Sequence, residues 1–97
     1  MLTVSLYRLA QLELDEAAAY YGEESFKLAF SFLECFDTAI KQILEHPKAS
    51  PIIHLNVRRK LIRRFPYAIN YVNSGDDLRI VAVAHLSRHP TYWIGRS

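Results

Sequence analysis

The sequence predicts an α+β domain: an N-terminal strand, an antiparallel hairpin of two helices, and then a three-stranded antiparallel meander, with the helices packed on one face of the sheet. Two observations predict this order. Apolar residues recur at helical spacing as far as residue 47, and strand-like segments separated by turn-forming residues begin after Pro51. Since 97 residues suit one hydrophobic core, we expect a single domain spanning residues 1–97.

The first half of the chain is predicted to hold a strand and both helices. Met1–Tyr7 alternates and carries β-branched residues, which favours a short strand. Gly22 is expected to end the first helix, Ser25 to cap the second, and Pro47 to stop it. A connection of about four residues makes the helices antiparallel. Their core stripes are Ala10, Leu14, Ala17, Ala18 and Tyr21, followed by Ala29, Phe32, Leu33, Phe36, Ile40 and Ile43.

The second half is predicted to form the meander. Its strands are Val57–Phe65, Tyr67–Val72 and Leu78–His85. Pro66 predicts a tight turn after the first of them, because proline cannot donate to a ladder. The segment 73–77 (Asn-Ser-Gly-Asp-Asp) has the composition of a hairpin turn. We also expect the N-terminal strand to join this sheet, since a lone strand would leave its backbone groups unpaired.

Charge is distributed unevenly along the chain. Residues 1–47 carry three basic and eight acidic side chains, whereas residues 48–97 carry nine basic and two acidic ones. This asymmetry indicates that the second half meets an anionic partner, the alternative being a solvated basic sheet face without a ligand. With one cysteine, no signal-peptide pattern and no long apolar run, we expect a cytoplasmic protein that does not associate with membranes.

Five apolar residues fall off the two helical core stripes. Any of them that is exposed would offer a hydrophobic surface to a partner chain. They are Leu9, Leu12, Tyr20, Leu28 and Phe30.

Two segments in the second half carry a resemblance to a known family. Arg63-Arg64-Phe65-Pro66-Tyr67 joins an arginine-rich strand to an alternating apolar strand, and the strand Ile80–Ala84 is followed by a basic and aromatic tail. The tail residues concerned are His85, Arg88, Pro90, Tyr92, Trp93 and Arg96. In this order the segments resemble the RelE/ParE superfamily, the toxins of type II toxin–antitoxin (TA) systems. The two helices resemble the family as well, so the resemblance covers nearly the whole chain.

The resemblance implies a cognate antitoxin that lies across the helical hairpin and part of the sheet, with the five off-stripe residues as its binding surface. Members of the ParE branch inhibit DNA gyrase and have no established catalytic residues. Members of the RelE branch cut mRNA on the ribosome without a metal. The long helices favour a ParE-like gyrase inhibitor, with a ribosome-dependent mRNA endonuclease as the alternative. A third possibility is a nucleic-acid-binding domain that does not arrest growth.

The residues that would serve each branch differ. A nuclease would use Arg64, His85 and Tyr92, with the arginine neutralising phosphate charge and the histidine transferring protons. No carboxylate occurs between Glu45 and Asp76, so the carboxylate that acts as a base in some relatives is missing. Whether the protein is an enzyme is left open, and we favour a protein without catalytic activity. Contacts to a target or to nucleic acid are assigned to Arg58, Arg59, Lys60, Arg63, Arg88 and Arg96.

The C-terminal tail offers a metal-binding alternative, which we do not favour. His85 and His89 have the spacing of two ligands on a helix, but Pro90 and the preceding strand argue against a helix there. The sequence therefore predicts no metal site and no cofactor. Tyr92 and Trp93 are expected to fold the tail onto the sheet.

Overall fold

Two helices lie against a five-stranded sheet in the structure, a computed structural model that describes residues 3–96. The elements are β1 (Thr3–Leu6), α1 (Arg8–Glu24), α2 (Phe26–Glu45), β2 (Ile52–His54), β3 (Val57–Leu61), β4 (Tyr67–Ser74) and β5 (Asp77–His85). The strand order is β1-β5-β4-β3-β2. β1 pairs with β5 in parallel, and all other neighbours are antiparallel. The α+β prediction is confirmed; Met1 and Leu2 of the predicted first strand lie outside the described residues.

The helical hairpin is tighter than the sequence indicates. Gly22 does not end α1, which continues to Glu24, and Ser25 alone separates the helices. A Cβ atom on Gly22 would lie 3.7 Å from the Cβ of Ala29, so this glycine lies where the two helices come close together. Ser25 is extended and its side chain accepts a hydrogen bond from the Leu28 N–H, which confirms the predicted cap. The prediction of a four-residue connection is wrong.

The strands differ from their predicted bounds by one or two residues in β1, β4 and β5, and by more in β3. β3 ends at Leu61 instead of Phe65, because the following residues turn before Pro66 and Arg64 adopts a φ of 75°. β2 was not predicted; it has only three residues and pairs along one side with β3. A segment this short shows no periodicity, so only its pairing partner identifies it. The turn between β4 and β5 is confirmed, with Gly75 at a φ of 61°.

The main core lies between the helices and the sheet. Phe32 is fully buried, and its ring lies 5.3 Å from the rings of Tyr21, Phe65 and Tyr67. Ile69 and Tyr71 of β4 complete this side, as their alternation predicts. Leu33 is an exception to the predicted stripe, since it is 39% exposed. A smaller cluster covers the opposite face of the sheet and contains Val57, Val81, Ala82 and Trp93.

One turn residue provides a stability test. Leu55 connects β2 and β3 with a φ of 49° and is 81% exposed, so its side chain gains little from packing while its backbone is strained. Leu55→Gly should raise the free energy of unfolding in urea by about 0.5 kcal/mol, since relief of strain exceeds the added chain entropy. The matched change at Asn56, whose φ is not positive, should lower it. An equal loss of stability in the Leu55→Gly and Asn56→Gly variants would contradict this prediction.

Candidate functional site

A cavity of about 260 Å³ lies between the sheet and the C-terminal tail, residues 86–96, on the face opposite the helices. We call it the tail cavity. β2, β3, β4 and β5 each contribute to its walls, and the tail closes one side. Its polar and aromatic lining consists of His54, Arg59, Asn70, His85, Arg88, His89, Thr91, Tyr92 and Trp93.

Trp93 anchors the tail that forms this cavity. Its ring is only 4% exposed and packs on the small cluster around Val57 and Val81, while its Nε1 donates to the Pro90 carbonyl at 2.8 Å. A buried indole with a satisfied N–H holds a segment firmly. The prediction that Tyr92 and Trp93 fold the tail onto the sheet is thus confirmed.

Two histidines in the cavity are oriented by their own loops. Nδ1 of His85 accepts the Ser87 N–H at 3.0 Å and lies 2.7 Å from the Ser87 hydroxyl. His89 makes the same arrangement with Thr91. A backbone N–H only donates, so this geometry assigns the accepting role to Nδ1 and, in the neutral form of each ring, the proton to Nε2. Each ring can therefore present an Nε2–H donor to a ligand.

The tail cavity has the character of an anion site. Two arginines and three histidines line it, and none of the lining residues is acidic. Asn70 is 2% exposed, and its Oδ1 has no hydrogen-bond partner among the described residues. A buried acceptor without a partner is costly, so a donor from a ligand would be favoured there. Phosphate oxygens near the cations, with an N–H or O–H group near Asn70, fit this lining.

Glu13 of α1 holds the C-terminal tail by hydrogen bonds to two tail residues, Tyr92 and Arg96. Its carboxylate accepts from both Arg96 Nη atoms at 2.8 and 3.0 Å, from the Tyr92 hydroxyl at 2.6 Å, and from the Val83 N–H at 3.0 Å. Since β1 pairs only with Asp77–Ile80, residues 81–85 of β5 have a strand on one side alone. On this strand the Glu13 carboxylate accepts a hydrogen bond from the Val83 N–H, and Arg96 donates one to the Val81 carbonyl. Side chains thus take the place of a neighbouring strand for these two backbone groups.

These hydrogen bonds, together with burial, shift the pKa values of Glu13 and Tyr92. Burial raises the pKa of Glu13, but the donors from Arg96, Tyr92 and Val83 more than offset this and hold it below its ordinary value. Burial, together with the hydrogen bond to Glu13, raises the pKa of Tyr92 well above its ordinary value. Tyr92 therefore keeps its proton and has a structural role in this state.

The predicted catalytic residues are brought together only in part. His85 and Tyr92 line the tail cavity, whereas Arg64 lines a separate groove with Lys60 and Arg63, beside α2. The residues predicted to contact the target also lie at different places in the structure. Arg59 and Arg88 face the tail cavity, but Arg96 is paired with Glu13.

Arg58 has an internal role. It donates to the carbonyls of Ser50 and Lys48, at 2.7 and 3.1 Å. Beside it, the Tyr71 hydroxyl donates to the Pro47 carbonyl at 2.8 Å. The two side chains, which are directly opposite in β3 and β4, hold the segment after α2 against the sheet.

Four of the five predicted antitoxin-contacting residues are exposed. The exposed fractions are 39% for Leu9, 46% for Leu12, 64% for Tyr20 and 55% for Phe30. Leu28 instead packs against the main core, so it does not belong to the exposed surface. Phe26, at 85% exposed, and Leu33 extend the surface on α2, because they share a helical stripe with Phe30. We call Phe26, Phe30 and Leu33 the α2 stripe.

Sequence reasoning missed Glu13 and Asn70. Glu13 lies off the apolar stripe of α1, and no local pattern distinguishes it from its acidic neighbours. Its partners lie about 70 to 83 residues away in sequence. Within residues 3–96 no group of three His, Cys, Asp or Glu side chains could hold a metal ion. Neither described helix combines the length and apolar character needed to cross a membrane.

Comparison with solved structures shows a likeness in fold. No protein-family model matches the sequence, and no curated protein matches it either. A solved structure, described as the chromosomal ParDE TA system from P. aeruginosa, contains a chain with the same fold. The TM-score is 0.76 over 90% of this chain and 98% of that chain, at 16% sequence identity. The chain therefore has the fold of that ParDE chain, which confirms the arrangement predicted from its resemblance to RelE/ParE-type toxins.

Proposed function

We propose that this protein is the toxin of a type II toxin–antitoxin pair, that it arrests growth by inhibiting DNA gyrase, and that a cognate antitoxin neutralises it. The observation that carries this proposal is the likeness to a chain of a ParDE system over almost the full length of both chains. Helices of 17 and 20 residues, long for the superfamily, also favour the ParE branch.

The site supports a mechanism without bond cleavage. Arg64 lies in a different groove from His85, Tyr92 is held protonated by Glu13, and the tail cavity has no lining carboxylate. The catalytic set proposed from the sequence is therefore incomplete. A gyrase inhibitor needs a complementary surface only, and the basic tail cavity supplies one for an acidic protein surface or for DNA held by gyrase.

The proposal is tested by inducing the protein in bacteria. We expect growth arrest with intact messages, mapped at their 5′ ends within minutes of induction, together with a DNA-damage response. Purified protein should then block supercoiling by gyrase. Arrest without any effect on gyrase would overturn the proposed target, and the absence of arrest would overturn the toxin assignment.

Messenger RNA cleavage is the second candidate, favoured by the cationic lining of the tail cavity and the unpaired Asn70 oxygen. In that mechanism Arg59 and Arg88 would hold the phosphate, and His85 would direct its Nε2–H at a phosphate or leaving oxygen. New 5′ ends inside translated codons would support it. His85→Ala should then abolish cleavage, whereas the matched change at the exposed His46 should not.

A further inference from the structure

The α2 stripe forms a continuous apolar surface on the outside of the helical hairpin. Phe26, Phe30 and Leu33 are 85%, 55% and 39% exposed. They follow one another at intervals of four and three residues, which is the spacing of the contact positions in a coiled coil. The buried residues of α2 belong to the main core, so the stripe faces away from the rest of the chain. Its apolar area is free to contact another protein.

Two charges of opposite sign flank the stripe. Lys27 and Glu34 are both exposed and lie seven residues apart, so they are on the same side of α2, two turns from each other. The ion pairs found within residues 3–96 involve neither of them. One edge of the stripe therefore carries a cation at one end and an anion at the other.

This order of charges fits a second copy of the same helix, running in the opposite direction. A two-fold axis close to Phe30 would bring Lys27 of each copy opposite Glu34 of the other, which forms two ion pairs at once. The two Phe30 rings would meet at the axis, with Phe26 and Leu33 packed around them. In a parallel pair identical residues lie at the same height, so Lys27 and Glu34 would stay two turns apart.

The size of the contact indicates a weak pair. The three side chains of the α2 stripe offer on the order of 350 Å² per copy, or roughly 700 Å² for two copies. The aliphatic stems of Lys27 and Glu34 extend the buried area toward about 1,000 Å², the lower limit of a biological interface. We therefore expect a dissociation constant on the order of 10 to 100 μM.

We propose that two copies of this chain pair through the α2 stripe, antiparallel and about a two-fold axis close to Phe30, with Lys27 of each copy bound to Glu34 of the other. A second copy fits because the apolar residues and the charges of this surface complement themselves. The pairing is a property of the free chain and does not require that the protein is a toxin. An antitoxin that covers the same stripe would exclude the second copy.

The first test is the mass of the purified chain as its concentration rises, measured by sedimentation equilibrium. The chain should be monomeric near about 1 μM and dimeric near about 1 mM. Phe30→Ser should raise the dissociation constant at least tenfold. Leu55→Ser, at an exposed leucine away from the hairpin, should change it by less than about threefold. A chain that stays monomeric near about 1 mM overturns the proposal, even if the protein encoded by an adjacent gene binds the stripe.

Exchange of the two charges tests the antiparallel pairing itself. Lys27→Glu and Glu34→Lys each replace both ion pairs by like-charge contacts, so each variant alone should dimerise at least fivefold more weakly. A mixture of the two variants should recover to within about twofold of the unaltered chain, because every contact between them again joins opposite charges. Lys48→Glu, which makes the same change of charge outside the helices, should have less than about a twofold effect.

Circular dichroism checks that all variants fold. A dimer that neither single variant weakens would overturn the proposed pairing. So would folded single variants that stay monomeric when they are mixed.

Discussion

Glu13→Ala is expected to lower the free energy of unfolding by about 3 kcal/mol, because it removes one partner from a partly buried ion pair. The Arg96 and Glu13 side chains are only 13% and 14% exposed. The Val83 N–H and the Tyr92 hydroxyl would lose their acceptor as well. Urea denaturation measures the loss, and the emission of Trp93 should shift to longer wavelength if the tail separates from the sheet.

The control is Glu16→Ala, one turn later on the same helix, where an exposed carboxylate should contribute less than about 0.5 kcal/mol. A loss below about 1 kcal/mol for Glu13→Ala, with unchanged Trp93 emission, would show that the tail is held by packing alone.

The same residue predicts part of the acid sensitivity. The folded state holds the pKa of Glu13 below its ordinary value of 4.5, so its stabilisation is present above that pH and is lost as the pH falls through the folded-state pKa. The unaltered protein should therefore lose stability below pH 4.5 more steeply than Glu13→Gln. Parallel stability curves for the two proteins would contradict this account.

The second large effect is expected on the α2 stripe. Phe26 and Phe30 are 85% and 55% exposed, so the double change to serine should leave the fold intact. If the antitoxin buries both rings, the lost burial should weaken its binding about 100-fold, as measured by titration calorimetry. Growth arrest should then resist neutralisation by co-expressed antitoxin.

Leu55 and Leu86 provide the matched control, because they are 81% and 50% exposed and lie away from the hairpin. Changing both to serine should leave antitoxin affinity within about threefold of the original. Equal losses in the two double variants would indicate general apolar adhesion, and the α2 stripe would then have no specific role.

Local chemistry made several elements predictable. Ser25 can cap a helix from its own position, Pro47 cannot continue one, and Gly75 tolerates the positive φ of a hairpin turn. The apolar alternation of β4 places Ile69 and Tyr71 on the core face. These outcomes depend on neighbouring residues, so a single sequence contains the information. The resemblance of the second half to RelE/ParE-type toxins then predicted the overall arrangement.

Other features depend on distant parts of the chain. The sequence predicts that Gly22 ends the first helix. In the structure Gly22 lies inside α1, where Ala29 of α2 comes close to it. β2 exists only because β3 supplies its hydrogen bonds. The candidate site also depends on distant parts of the chain. Arg64 and His85 are both residue types that can serve catalysis, but they line different cavities.

The sequence by itself therefore determined the fold class, the Ser25 cap of α2, the turn at Gly75, and the cationic character of the second half. The tertiary structure decided which charges remain available. It neutralises Arg96 with Glu13 and places Arg58 on backbone carbonyls, but leaves Lys60, Arg63 and Arg64 without carboxylate partners among the described residues. The physical reason is that a formal charge is a property of a residue, whereas its neutralisation depends on groups that only folding brings within hydrogen-bond distance.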